Sequence, residues 1–399
     1  MTDPQAPLGG LASASVLPED AERATLVGRI WDPAVNGPTP ILIRRGEAID
    51  ISRIAPTSSA LLELERIAVV LQSAAGLPTI GRIDQLIANS DERHRDPMRP
   101  WLIAPCDLQA VKAAGVTFAA SMLERVIEEQ ARGDPTRAEE IRRRITGIIG
   151  DNLATVKPGS AEAQKVKDVL LGAGAWSQYL EVGIGPDAEI FTKCPPMASV
   201  GLGADIGLHP KSQWSNPEPE VVLAANSRGE VVGATLGNDV NLRDFEGRSA
   251  LLLGKAKDNN ASSAIGPFVR LFDTGFSIDD VRQALITVKV EGTDGFVMEG
   301  SSSMAKISRD PLDIAGQALN KTHQYPDGFM LFLGTMFAPI KDREKPGMGF
   351  THHLGDAVSI SSPRLGTLWN RVDHSDRIAP WTFGASALMR NLVHRQLIG

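Results

Sequence analysis

Between Ala24 and Pro105, apolar residues recur first at period two and then at helical spacing. The run "ATLVGRIW" alternates, and "PILIRRGEAIDI" reads as two apolar strands around an Arg-Gly turn, which is a hairpin pattern. "PTSSALLELERIAVVLQSAAG" then reads as one capped helix ending at glycine. These signals predict a small N-terminal α+β unit over 22–105, preceded by a disordered tail over 1–21. The next run, "AAGVTFAASMLERVIEEQARGD", begins strand-like and turns helical near Phe118. "DPTRAEEIRRRITGIIG" follows, with Asp134 as N-cap and Pro135 at the first helical position. "GSAEAQKVKDVLLGAG" makes a third helix, so about 120–174 is expected to be a helical insertion between two β-rich stretches. From Ile190 onward strand and turn signals dominate, as in "EVVLAANSRGEVVGATLGNDV" and "DAVSISSPRLGTLWNRV", with a helix at "RDPLDIAGQALNKTHQ". The expectation is an α+β chain whose second unit, 106–399, is a mostly antiparallel β domain.

Composition narrows the class. A chain of 399 residues exceeds what one core supports. Its formal charge of −7, with no basic stripe, argues against nucleic acid as a partner. No apolar run is long and clean enough to span a bilayer, and the first twenty residues lack the basic and apolar regions of a signal peptide. Cys106 and Cys194 are the two cysteines and stand in no metal or redox spacing, which points to a reducing, cytoplasmic compartment.

Candidate chemistry starts at "NPEPEVVL". In a strand, residues i and i+2 project from one face, so Glu218 and Glu220 point together, roughly 7 Å apart along the chain. Two buried carboxylates need a cation or protons; a solvent-facing edge is the plainer alternative, and Pro217 and Pro219 suit it. The turn "NSRGE" and the run "VVGATL" then bring the chain back antiparallel, delivering Asp239 of "GNDVNLRDFEG" beside the pair. Three carboxylates form a hard oxygen site for Mg²⁺ or Mn²⁺ that leaves coordination positions open. Close behind lie Arg243, Glu246, Lys255 and Lys257, where a lysine beside a cation could serve as a base. "GLGADIG" and "LLLGKAKD" have the wrong spacing for dinucleotide or phosphate loops. The seven histidines read as structural or surface residues; adjacent His352 and His353 face opposite ways in a strand.

Taken in order, "EPE", "GNDVNLRD", "AKDNNASSAIGP", "FLGTMFAP" and "LGTLWNRV" resemble the fumarylacetoacetate hydrolase superfamily, and with "AAGVTFAASMLERVIEE" the chain resembles its 2-keto-3-deoxy-pentonate dehydratase branch. The resemblance implies a mixed β-roll catalytic core with a helical lid, Mg²⁺, and a 2-oxo acid chelating the metal. It implies Glu218, Glu220 and Asp239 as metal ligands, Arg243 as the arginine of the "RD" motif, and Lys257 as the lysine ahead of "GP". Thr335 beside Gly334 would hold the substrate carboxylate. Glu246 stands where the family's "RDxQ" glutamine would be. In the lid, "TFAASMLE" puts Ser121 where the hydrolases and decarboxylases have a water-activating histidine, with Glu124 in place of its partner. Serine has no accessible pKa for that work near neutrality, so hydrolysis is disfavoured.

The expected reaction is therefore dehydration of a 2-keto-3-deoxy-D-pentonate to 2,5-dioxopentanoate, by a hydro-lyase of non-phosphorylative pentose catabolism. Lys257 is the candidate base at C3. Glu124 is the candidate acid for the C4 hydroxyl, with Ser121 holding that oxygen, and Arg125 and Arg243 neutralise substrate charge. Capping and ion-pairing on a surface helix is the equally weighted alternative for Ser121 and Glu124. An acylpyruvate-type C–C hydrolase or decarboxylase, and a non-catalytic metal-dependent 2-oxo acid binder, are the competing functions. A Schiff base through Lys257 would make the metal dispensable. The resemblance also implies a homodimer or homotetramer.

Overall fold

The computed structural model describes residues 16–399 apart from 133, 135, 139, 144–155, 173–175, 340 and 345–348. Most of the helix expected from Asp134 to Gly150, and residues 1–15 of the expected tail, lie outside the described residues.

The fold is α+β, with mixed sheets. In the larger sheet the strands run in the spatial order Thr79–Arg82, Glu47–Asp50, Gly37–Arg44, Leu26–Asp32, Ser263–Leu271, Val231–Asp239, Pro219–Ala225, Phe329–Phe332, Ala110–Gly115 and Glu189–Cys194. All neighbours are antiparallel except Phe329–Phe332 and Ala110–Gly115. A five-stranded sheet is formed by Val297–Ser303, Leu285–Glu291, Ala357–Ser362, Gly366–His374 and Asp205–Leu208. The strands Pro219–Ala225 and Ser263–Leu271 are buried at every position, so they sit where both faces of the larger sheet are covered. One core cluster joins the two sheets through Leu223, Leu236, Phe268, Val288 and Leu368. Another fills the opposite face beneath Leu61, Ile67 and Leu71.

Three expectations are revised. The hairpin at Gly37–Asp50 forms about Arg45 and Gly46, both at positive φ, but its sheet is not separate. Leu26 pairs with Arg270 and Val27 with Val269, so the strands of 22–105 extend the sheet that also holds the candidate site. The single helix expected after Pro56 is two short helices, Ser58–Leu62 and Ile67–Ser73, broken where Arg66 adopts a left-handed conformation. The tail boundary at 21 is too late. Val16 is fully buried, and Asp20 takes two hydrogen bonds from the buried Arg270, at 2.5 and 2.7 Å. A buried guanidinium needs such a partner, which fixes the segment from Val16 onward.

The helical layer contains Ala119–Ala131, Ala161–Gly172 and Gln178–Ile184. Met122, Val126 and Ile127 on one face of the first of these pack on Leu180 and Ile184. That leaves Ser121 and Arg125 on walls of the cavity described next. Farther along the chain, the segment leaving Pro339 is tied down by Arg343, which donates to both oxygens of the fully buried Asp356 at 2.6 and 2.8 Å. Asp356 also lies 3.0 Å from His352 Nδ1. Burial opposes the charge on Asp356, but His352 and Arg343 outweigh it and hold the carboxyl near 2. This folded-state value is below that of an unfolded aspartate, so the stabilisation is complete above about pH 4 and lost as pH falls toward 2. Denaturant titrations over that range are expected to lose about 2 kcal/mol from this source in the parent protein. Asp356→Asn, already destabilised, should lack this part of the pH dependence.

Candidate functional site

Glu218 and Asp239 face each other across two adjacent interior strands. The ladder pairs Pro219 with Asn238 and Glu220 with Gly237, and Asp239 N–H donates to Glu218 O at 3.1 Å. The Pro219–Ala225 strand is hydrogen-bonded on its other side to Phe329–Phe332. The solvent-facing edge that the two prolines suggested is therefore excluded. Glu218, Glu220 and Asp239 are 6%, 2% and 2% exposed, and one oxygen of each lies within 4.8 Å of the others.

Cations surround this cluster. Lys257 Nζ contacts Glu218 Oε2 and lies 3.0 Å from Asp239 Oδ2. Lys193, fully buried, lies 2.9 Å from Asp239 Oδ1 and donates to the Val240 and Lys257 carbonyls. Arg125 bridges Glu218 Oε1 and Glu246 Oε2, both at 2.6 Å. Glu246, the departure from glutamine, is thereby charge-balanced. Gly334 N–H donates to Glu220 Oε2 at 2.6 Å. A Cβ on Gly334, whose φ is +84°, would overlap the Thr117 hydroxyl, so the turn requires glycine. Thr335 lines the cavity, its hydroxyl accepting from Phe337 N–H at 3.1 Å.

One wall residue carries no sequence motif. Glu189 begins the Glu189–Cys194 strand opposite Gly115, where any Cβ would overlap its carboxylate. It faces the cavity with Phe191, Glu218 and Lys257, and its carboxyl has no hydrogen-bond partner among the described residues. Burial pushes that carboxyl up, against the pull of Arg125 and Lys257. Glu220 is likewise pushed well above the usual carboxylate range, by burial and then by Asp239 and Glu218. Lys257 is also shifted upward, which in its case keeps the charge. Burial disfavours its charge, but Asp239, Glu218 and Glu246 outweigh burial and hold it as ammonium. Burial also raises Asp239, and Lys193 and Lys257 overcome it.

The other expected residues separate into two groups. Arg243 is buried, stacked 4.2 Å over Trp214, and donates to Glu124 at 3.3 Å. Arg142 grips both Glu124 oxygens, at 3.1 and 2.7 Å. Ser121 donates to the Phe118 carbonyl at 2.9 Å. Ser121, Glu124, Arg125 and Arg243 line a second cavity contiguous with the first. Lys255, by contrast, is exposed and turned toward Phe245. Cys106 and Cys194 are buried free thiols. Among the described residues no helix is long and apolar enough to cross a membrane.

The donor set suits a hard divalent cation. Glu189, Glu218, Glu220, Asp239 and Glu246 face Arg125, Lys193 and Lys257, so the ionised cluster has two excess negative charges. Burial is the main cause of the upward displacement of Glu220 and Glu189; at Glu220 the neighbouring Asp239 and Glu218 carboxylates add to it.

No family model matches the chain. It is 32% identical over 183 residues to 2-dehydro-3-deoxy-D-arabinonate dehydratase of Saccharolobus solfataricus, covering 45% of this chain and 57% of that protein. It is 29% identical over 194 residues to a Haloferax volcanii protein named "Probable 2-keto-3-deoxyxylonate dehydratase", covering 49% of this chain and 63% of the relative. The aligned part thus spans less than two thirds of either curated relative. In three dimensions the chain superposes on 2-keto-3-deoxy-D-arabinonate dehydratase complexed with magnesium and 2,5-dioxopentanoate, with TM-score 0.61 and 21% identity over 88% of this chain and 99% of that one. A hexagonal crystal form of 2-keto-3-deoxyarabinonate dehydratase gives TM-score 0.59 at 20% identity, over 87% and 98%. The chain therefore shares the fold of these solved dehydratases and, over about half its length, is similar in sequence to proteins named as dehydratases of 2-keto-3-deoxy sugar acids.

Proposed function

We propose that the protein is a divalent-metal-dependent dehydratase that converts a 2-keto-3-deoxy-pentonate to 2,5-dioxopentanoate. The observation that carries this reading is a buried carboxylate triad sharing one cavity with a separate carboxyl, Glu189, that has no hydrogen-bond partner among the described residues. Glu218, Glu220 and Asp239 would hold magnesium or manganese. When bound there, such a cation supplies Lewis-acid polarisation of the C2 carbonyl of a 2-oxo acid, which acidifies C3.

The rest of the chemistry falls to the chain's own groups. The resemblance points to Lys257 as base, but its contacts with Glu218 and Asp239 favour an electrostatic role. Glu189 is the better base. It takes a proton from C3, the C3–C4 double bond forms, and the C4 hydroxyl leaves as water with that proton. A second proton shift, from C5 to C3, gives an enol that ketonises to the aldehyde. Ser121, on the wall common to both cavities, would hold the C4 oxygen. Glu124, gripped by Arg142 and Arg243, fits a structural charge cluster better than a proton donor. Gly334 and Thr335 remain candidates for the substrate carboxylate, and Arg125 balances charge beside it. The segment about 120–174, with its described helices Ala119–Ala131 and Ala161–Gly172, would serve as the lid, and a cytoplasmic homodimer or homotetramer completes the reading.

The test is a coupled assay. EDTA-stripped protein receives 2-keto-3-deoxy-D-pentonate with or without Mg²⁺, and aldehyde is followed with a semialdehyde dehydrogenase and NAD(P)⁺. Aldehyde is expected only with the metal; its absence under both conditions refutes the dehydratase.

A further inference from the structure

On the wall of the second cavity stands a residue, Asn241, whose side-chain oxygen is buried and meets no hydrogen-bond donor among the described residues. Asn241 is 1% exposed and lines this cavity with Asn216, Glu124, Arg243 and Phe337. Its orientation is set by Asn216, its partner across a short ladder. Asn216 Nδ2 donates to Pro217 O at 2.9 Å, which leaves Asn216 Oδ1 to face Asn241. Only the NH₂ end of Asn241 can meet that oxygen, and it does so at a long 3.5 Å. Asn241 Oδ1 is thus the end left over, buried and without a partner among the described residues. A buried amide oxygen in this state is costly, and such groups are uncommon in native folds unless a ligand or water completes them.

The other polar groups of this wall are already engaged, Glu124 with Arg142 and Arg243, and Arg243 over Trp214. The two cavities are joined through Ser121, Arg125, Glu218 and Thr335, which line both. On the 2-oxo acid reading, a substrate with its head at the triad would reach the second cavity past these shared residues.

We propose that this cavity recognises the terminal hydroxyl of the substrate, with Asn241 Oδ1 accepting its hydrogen bond, so that Asn241 selects 2-oxo acids hydroxylated at C5. The inference rests on the 2-oxo acid reading above and deepens it. A site built to meet a substrate hydroxyl rejects the analogue lacking it, because the buried acceptor is then stranded.

Binding can be tested without turnover, because 5-hydroxy-2-oxopentanoate and 2-oxopentanoate both lack the C4 leaving group. Calorimetric titration of the Mg²⁺-loaded protein gives the affinity ratio of the two acids, for the parent and for Asn241→Ala. The comparison across proteins cancels the ring–chain equilibrium of the free hydroxy acid. The ratio is expected to fall about tenfold in the variant, the usual scale for one buried hydrogen bond. Asn241→Leu, close in volume, serves if the alanine variant does not fold. An unchanged ratio, with both acids still binding, overturns the inference and leaves the 2-oxo acid reading intact. If neither acid binds the parent protein, that reading fails and the inference with it.

Discussion

Glu220→Gln is expected to remove measurable Mg²⁺ binding in a calorimetric titration and to lower kcat/KM by about three orders of magnitude. That is the scale of losing several kcal/mol of charge stabilisation at the reacting carbonyl. The same substitution should alter metal-free stability in the opposite sense. Burial, Asp239 and Glu218 push the Glu220 carboxyl above its unfolded-state value. A folded-state value raised in this way leaves stability undiminished below the unfolded value and erodes it as pH rises above about 4.5. Metal-free parent protein should therefore melt at progressively lower temperature as pH is raised from 5 to 8. Glu220→Gln should show a shallower decline and at pH 8 should melt above the parent. Adding Mg²⁺ should reverse the order, because only the parent gains binding energy from it. Retained Mg²⁺ affinity in the glutamine variant would remove the triad from the metal site.

The triad was legible in the sequence for a local reason. Glu218 and Glu220 differ by two positions on a strand, and a turn of ordinary length returns Asp239 to face them, so strand periodicity and hairpin geometry suffice. What surrounds the triad comes from far along the chain. Lys193 reaches Asp239 from a strand that pairs with Ala110–Gly115. Its only local signal is a lysine in the otherwise strand-like run "EIFTKC", facing inward at a position where lysine is rarely buried unpaired. Glu189 opens the same strand on the far side of the helical layer, and its value depends on a glycine 74 residues earlier leaving room for it. The N-terminal unit misled in a similar way. Its hairpin was readable from "PILIRRGEAIDI", but pairing between Leu26 and Arg270 joins segments separated by most of the chain, and no local pattern encodes it. Glu246 is intermediate. Its replacement of glutamine was visible, but the compensating Arg125 became apparent only when the helix Ala119–Ala131 was brought over the triad.

Glu189→Gln separates the proposed base from the metal site. The amide keeps the volume beside Gly115 and removes the group that takes the proton, so Mg²⁺ affinity should stay close to the parent's while kcat falls about 10³-fold. Deuterium exchange at C3 of 2-oxobutanoate, followed by NMR in D₂O with Mg²⁺ present, isolates that proton transfer because this acid has no C4 hydroxyl to lose. The parent should exchange and Glu189→Gln should not. The pH profile supplies a second reading of the same group. Burial raises the Glu189 carboxyl against Arg125 and Lys257, so the acidic limb of kcat/KM should lie above the usual carboxylate range. Lys257→Met is the comparison that decides between the two candidate bases. As the electrostatic partner of Glu218 and Asp239, Lys257 should mainly alter metal affinity, and exchange should recover at saturating Mg²⁺. Exchange lost in Lys257→Met at saturating metal, but retained in Glu189→Gln, would return the base to Lys257 and leave Glu189 as a wall of the cavity.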